Sequence, residues 1–320
     1  MNASFGPFLL ILVGILLGVI LRRSGHLPAG ASKSLNAYVI AIAVPALVLT
    51  QVPPFLRSLL SSPEGMTPSL FFLPLVPWLI FFGSIGFFGF LHRRKWIRRE
   101  EWGLLVLAAG LGNTAFVGFP LIEALLGREN LPAAILLDQL GTFLALSLGG
   151  PLWVSYLHST RGTFSWRKFL GEVVRFPPLL ALAASFLALF WPPFPPLVEG
   201  TLERIAATLV PVAMVSVGAQ LRFDRSILRR EAPGVVVGLG YKMVLAPIGI
   251  AVLASFVMPT TSDAYSVVVL ESAMAPMITS TVLGMESGFA PDLGALMLGV
   301  GIPLSLVSVP LVHALLQGFT

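Results

Sequence analysis

Residues 109–120 read AGLGNTAFVGFP. The stretch is apolar enough for lipid, yet it carries Gly110, Gly112, Gly118 and Pro120, all poor helix formers, around an isolated polar pair, Asn113–Thr114. In a bilayer, backbone groups freed by an interrupted helix must meet protein, water or ligand, because hydrocarbon offers them no partner. The stretch therefore predicts a helix interrupted at Gly112-Asn113-Thr114 and Gly118-Phe119-Pro120, where something other than lipid faces the chain.

The surrounding sequence supports a membrane setting. Of 320 residues, 56% are hydrophobic and 11% charged, against about 25% charged in soluble domains. Apolar runs of about 20 residues alternate with short polar loops, the pattern of an all-α polytopic membrane protein. Ten transmembrane helices are predicted, at about 5–21, 35–53, 69–91, 102–126, 131–157, 174–191, 205–221, 234–257, 264–284 and 292–316. Nothing basic precedes the first apolar segment, which argues against a cleavable leader.

Several chemistries are excluded. The chain has no cysteine, so disulfides and thiol chemistry are absent. His26, His92, His158 and His313 fall near predicted helix ends without metal-ligand spacing, so no metal or cofactor is expected beyond a coupling ion. There is no phosphate-binding Gly-x-x-x-x-Gly-Lys-Ser/Thr loop, no Gly-x-Ser-x-Gly elbow and no His-Glu-x-x-His pair. ATP drive and intramembrane enzymology are therefore not expected.

The basic residues set an orientation. Odd-numbered loops hold Arg22, Arg23 and Lys33; Arg93, Arg94, Lys95, Arg98 and Arg99; Arg161, Arg167, Lys168 and Arg175; and Arg222, Arg225, Arg229 and Arg230. Even-numbered loops hold only Arg57, Arg128 and Arg204. Sixteen against three puts the odd loops in the cytoplasm and both termini on the outer side of a cell (inner) membrane. The basic balance is thus a topology signal and needs no nucleic-acid partner.

Ten spans divide as five and five, 1–160 and 161–320, and an odd number per half forces opposite orientations. Two matches support this inverted repeat. The second span holds Ala43-Val44-Pro45-Ala46 and the seventh Leu209-Val210-Pro211-Val212, each with a mid-helix proline. The fourth holds Asn113 to Pro120 and the ninth Glu271-Ser272-Ala273-Met274-Ala275-Pro276, polar groups just ahead of a proline. Pro45, Gly118, Pro120 and Pro211 are read as helix-breaking positions. Two breaks meeting near the midplane make one site from half-helix ends and polar side chains.

The run Gly112-Asn113-Thr114-Ala115-Phe116-Val117-Gly118-Phe119-Pro120-Leu121 resembles the fourth-helix signature of the auxin efflux carrier family. That family includes plant PIN carriers and bacterial permeases assigned to malate or malonate. Ala275-Pro276, Gly288-Phe289-Ala290-Pro291-Asp292, Gly301, Pro303 and Pro310 agree with it. The resemblance implies fourth and ninth helices that are broken and cross, and an asparagine, here Asn113, that holds a carboxylate-bearing substrate. It also implies a homodimer, with a scaffold of spans 1, 2, 6 and 7 and a transport domain of spans 3–5 and 8–10. Plant carriers bear a Pro-Gln-Gly-like stretch in the ninth helix. Ser272-Ala273-Met274-Ala275-Pro276 departs from it, which points away from the plant hormone as substrate. The bile acid:sodium symporter superfamily shares the ten-span inverted repeat, so Na+ and H+ both stay open as coupling ions, as does passive facilitation.

The expected substrate site comprises Gly112, Asn113, Thr114, Ser272, Ala273 and Pro276, for a small organic anion such as a dicarboxylate. Asp138, Lys242 and Glu271 fall too deep to be loop residues, and intramembrane charge is costly unless paired or hydrated. Glu271 is read either as an ion ligand or proton carrier, or as a structural carboxylate paired with Lys242 or a backbone amide. Asp138, Gln139 and Thr142 share a helix face that lines the first break or glues helices together. Lys242 snorkels, neutralises Asp138 or Glu271, or attracts the anion.

Overall fold

The computed structural model describes residues 5–28, 30–61, 68–158, 171, 175–221 and 225–319. Of the loop residues used above for orientation, Arg161, Arg167, Lys168 and Arg222 lie outside the described residues. The described chain is helical apart from its turns and one isolated β-bridge. We number the helices α1 (Phe5–Arg23), α2 (Ala31–Ser61), α3 (Pro68–Phe72), α4 (Leu75–Arg93), α5 (Arg99–Gly110), α6 (Thr114–Leu126) and α7 (Arg128–His158). After the central loop come α8 (Pro177–Phe190), α9 (Pro196–Gln220), α10 (225–255), α11 (Asp263–Ser272), α12 (Ile278–Glu286) and α13 (Pro291–Phe319). Among the described residues, α2, α4, α7, α9, α10 and α13 are each long and apolar enough to cross a bilayer, while α6 and α8 are shorter apolar helices. The protein is an all-α, multi-pass membrane protein.

Local chemistry sets several helix ends. A side-chain cap starts α5: the Arg98 amide donates to the Glu101 carboxylate at 2.6 Å, and Glu100 and Glu101 suit the positive end of the helix. The exposed Arg98 guanidinium also donates to Glu101, a bond that holds it further above its ordinary range. At α11, the Ser262 hydroxyl accepts from the Tyr265 amide at 3.2 Å. Gly127, at φ +94°, ends α6 in a conformation that only glycine adopts readily.

Of the prolines read as helix breakers, Pro45 and Pro120 are absorbed without a break, while Pro211 follows one. Pro45 follows a π turn, Val39–Ala43, and α2 runs through it. Widening the helix by one residue lets the Val44 amide reach the Val39 carbonyl and reshapes the turn where proline donates nothing. Gly118 closes a second π turn, Thr114–Gly118, and Pro120 enters the α-turn that follows, so α6 is continuous there. The interruption predicted at Gly118-Phe119-Pro120 is thus confined to residues 111–113. Pro211 lies in the first turn of Leu209–Gln220, beyond an irregular turn at Ala207–Thr208, where its missing N–H falls among donors with no intrahelical partner.

Packing follows backbone access. Helices α1 and α9 touch along small residues: a Cβ on Gly18 would land on the Val215 carbonyl, and one on Gly218 on the Ile15 carbonyl. Helix α2 packs on α8 and α9, α5 on α4, α12 and α13, and α11 on α10, α7 and α6. Helix α6 also touches α1 and α9, so residues just beyond the first interruption face that pair.

Candidate functional site

Between α5 and α6, Leu111 to Asn113 are non-helical; between α11 and α12, so are Ala273 to Met277. The two interruptions pair with each other. The Asn113 amide donates to the Ala275 carbonyl at 2.8 Å, and the Met277 amide to the Leu111 carbonyl at 3.1 Å. Gly112 and Pro276 are thereby opposed in a single antiparallel bridge. Proline fits because the flanking residues make both hydrogen bonds, so its missing donor is not needed. Glycine fits because a Cβ at 112 would lie 3.1 Å from Lys242 Nζ.

The sequence places its polar groups around this bridge. Asn113 caps the following turn: its Oδ1 accepts from the Phe116 amide at 3.3 Å, and its carbonyl accepts from the Gly118 amide at 2.9 Å. Because Phe116 needs an oxygen, Nδ2 is the atom left over, and it is buried without a partner. The Thr114 hydroxyl donates to Asp138 Oδ1, and Gln139 Nε2 donates to Asp138 Oδ2 at 2.6 Å. Both Asp138 oxygens are thus served. Gln139 Oε1 and Thr142 Oγ1 are buried and unpartnered.

The second interruption brings Glu271, Ser272 and Lys242. Lys242 is fully buried, and its Nζ donates to the Ser272 carbonyl at 2.6 Å. No carboxylate of the described residues lies within ion-pair distance of it, so the alternative in which Lys242 pairs with Glu271 gives way to a bond to backbone. Glu271 is 1% exposed, and neither carboxylate oxygen has a hydrogen-bond partner. Its field is mixed, repelled by Asp138 and attracted by Lys242. Its carboxylate rests on Gly118, where a Cβ would lie 2.5 Å from Oε2. The Ser272 hydroxyl turns back to the Val269 carbonyl at 2.6 Å, and Ala273 contributes only backbone.

Three of the π turns coincide with site residues: Thr114–Gly118, Asp138–Thr142 and Tyr241–Leu245. Such single wide turns re-aim side chains and recur at functional positions. The structure therefore brings together Gly112, Asn113, Thr114, Gly118, Asp138, Gln139, Lys242, Glu271, Ser272, Ala273 and Pro276. It leaves Pro45 and Pro211 outside the polar cluster.

Two cavities lie along α1, and none of the polar residues of the crossing lines either. The larger, about 610 Å³, is lined by Arg22, Ser32 and Gln220 on one wall and by Ile278, Val282 and Leu298 on the other. The smaller, about 300 Å³, lies among Leu10, Leu47, Leu209, Phe119, Pro120 and Glu123. Leu10 and Arg22 are separated by about 18 Å of helix, so the cavities sit at opposite ends of α1. Arg22, read from sequence only as a topology signal, is, among the described residues, the one charged side chain lining the larger cavity; it donates to the Ala219 carbonyl at 2.6 Å. The Asn36–Ser216 hydrogen bond (2.5 Å), which ties α2 to α9, also escaped sequence reasoning. Asn36 lies in a predicted span, and its polarity was the available signal.

A buried polar crossing of two interrupted helices within an apolar, multi-pass helical chain is the architecture of a membrane transporter. The chain belongs to the family described as membrane transport protein, whose pattern matches residues 3–158 and 161–313. It is 30% identical over 304 residues to an uncharacterized transporter of Methanothermobacter thermautotrophicus, covering 94% of each chain. An uncharacterized transporter of Methanocaldococcus jannaschii is 28% identical over 219 residues, 67% of each chain. The role is therefore transport rather than catalysis. Among the described residues, no three His, Cys, Asp or Glu side chains are grouped to hold a metal ion.

Proposed function

We propose that the protein is a secondary carrier of a small organic anion, a dicarboxylate such as malate or a related carboxylate, working by alternating access of an elevator type. The observation that carries this reading is the buried, unpartnered Asn113 Nδ2 at the crossing. A buried donor left unmatched costs about 1–3 kcal/mol, and a carboxylate oxygen would relieve it. The likeness of residues 112–121 to auxin efflux carriers and to bacterial malate or malonate permeases points to the same ligand class.

In this reading the chain is two inverted five-helix repeats, 1–160 and 161–320. Helices α1, α2, α8 and α9 serve as scaffold and dimer contact, and the remainder moves past them. The two cavities are then the two approaches to one site, with both termini on the outer side of the cell membrane. Glu271, the one buried charge without a hydrogen-bond partner, takes up the coupling cation. Sodium symport of the bile acid transporter type draws support from the same unpartnered carboxylate.

The test is uptake of radiolabelled malate into liposomes bearing the purified protein, under separately imposed sodium, proton and voltage gradients. Saturable uptake lost in Asn113→Ala and decoupled from its gradient in Glu271→Gln is expected. A folded Asn113→Ala variant that transports as wild type would overturn the crossing-site argument. Absence of malate uptake in folded wild type would remove malate and move the search to monocarboxylates and larger anions.

A further inference from the structure

We infer that Lys242 is a built-in counter-cation of the crossing, its ammonium held by the Ser272 carbonyl at the end of α11 where a coupling Na+ would bind, so that the site needs no sodium. The inference rests on the carrier reading and names its coupling more narrowly.

The ammonium has the surroundings of a bound hard cation rather than those of half an ion pair. Its hydrogen-bond partner is the carbonyl of Ser272, the last residue of α11, at 2.6 Å. The C-terminal end of a helix carries about half a negative charge on its unsatisfied carbonyls. Interrupted helices in carriers offer such carbonyls to coupling cations. The Glu271 carbonyl lies 3.4 Å, and Lys242 Nζ 3.1 Å, from the place of a Gly112 Cβ, so the ammonium lies over the other interruption as well. A single cationic centre thus bridges the two breaks at the one point where their backbones pair.

Lys242 is also a fixture, not a mobile arm. It sits in the π turn Tyr241–Leu245, which Tyr241 anchors to α4. The Tyr241 hydroxyl donates to the Ile80 carbonyl at 2.7 Å, and its ring lies 5.2 Å from those of both Phe87 and Phe88. Gly83 leaves room for that hydroxyl, since a Cβ there would lie 2.8 Å from it. The side chain is completely enclosed, so its charge must be compensated where it stands. The carbonyl end of α11 supplies that compensation at contact, and Glu271 adds attraction from further away.

Removing the ammonium leaves a space beside the Ser272 carbonyl, which on this inference a small cation enters. Thermal unfolding of the purified full-length protein in detergent, in NaCl, KCl or choline chloride at equal ionic strength, reads this directly. Wild type is expected to melt at one temperature in all three salts and to show no saturable binding of radioactive Na+. Lys242→Ala is expected to melt lower by on the order of 5–10 °C in choline chloride and to regain part of that loss saturably in NaCl. Lys242→Met, which fills the space without a charge, is expected to be destabilised and blind to the salt. Saturable sodium binding or stabilisation of wild type would overturn the inference. So would a Lys242→Ala variant as stable as wild type, or one raised equally by all three salts. If Lys242→Ala does not fold, wild-type sodium binding alone decides. Malate uptake is not the readout, so a wrong substrate or a failed carrier reading leaves this result intact and separately visible.

Discussion

Replacing Gly118 with alanine tests how closely the two halves of the crossing are fitted. The new methyl would lie 2.5 and 2.8 Å from the Glu271 oxygens and 3.0 Å from its Cδ. Relaxed contacts between carbon atoms are about 3.5–4.0 Å, so the carboxylate must retreat by roughly an ångström. It has little room, being 1% exposed. Overpacking of this kind costs about 1–3 kcal/mol. If the clash is with the carboxylate, Glu271→Ala removes it, and Gly118→Ala becomes nearly free in that background. The four proteins of this double-mutant cycle, compared by denaturant unfolding in detergent, should show an interaction of about 1–3 kcal/mol. An interaction below about 0.5 kcal/mol would refute the assigned contact, because the methyl would then cost the same with or without the carboxylate.

Thr114→Val keeps the side-chain shape but removes the donor to buried Asp138, and should lower stability by about 1.5–3 kcal/mol; Thr114→Ser should retain most of it. Gly218→Ala drives a methyl into the Ile15 carbonyl and should lower the melting temperature clearly, whereas Gly249→Ala, with open space around its Cα, should be neutral or slightly stabilising. Both are read by thermal melts of the purified protein. Arg22→Gln removes the charge from the larger cavity while keeping a donor for the Ala219 carbonyl. It should raise the KM for anion uptake by about tenfold at low ionic strength, with little change in melting temperature, and the difference should shrink as salt is added.

Some of this molecule is written in residue types and some only in their neighbours. Asn113 and Thr114 stand out because a polar pair between glycines in apolar sequence has few explanations other than an opened backbone. Pro276 marks the second opening for a similar reason. The continuity of α6 through Gly118 and Pro120 was not legible, because a π turn needs no particular residue. Any helix can widen by one position, here where the Gly118 amide reaches the Asn113 carbonyl five residues back. Lys242 shows the same limit from another side. Its sequence context offers Asp138 and Glu271 as partners, and the partner it takes is a backbone carbonyl, which carries no signature. Gly118 announces a missing side chain but not which distant carboxylate occupies the space.

The three buried charges at the crossing differ in what moving them would break. Asp138 holds the first interruption through Thr114 and is also bound by Gln139, so shifting it costs two hydrogen bonds. Lys242 holds the second through the Ser272 carbonyl, so shifting it frees a helix end. Glu271 holds nothing: both its oxygens lack partners, and Gly118 leaves them room. A transport cycle needs one group whose charge is compensated in some states and not in others, beside a frame that stays assembled throughout. Only Glu271 can change its compensation without dismantling the bridge between Gly112 and Pro276. In the proposed carrier, Asp138 and Lys242 are therefore positioning residues, and we assign the cycle's changing charge to Glu271.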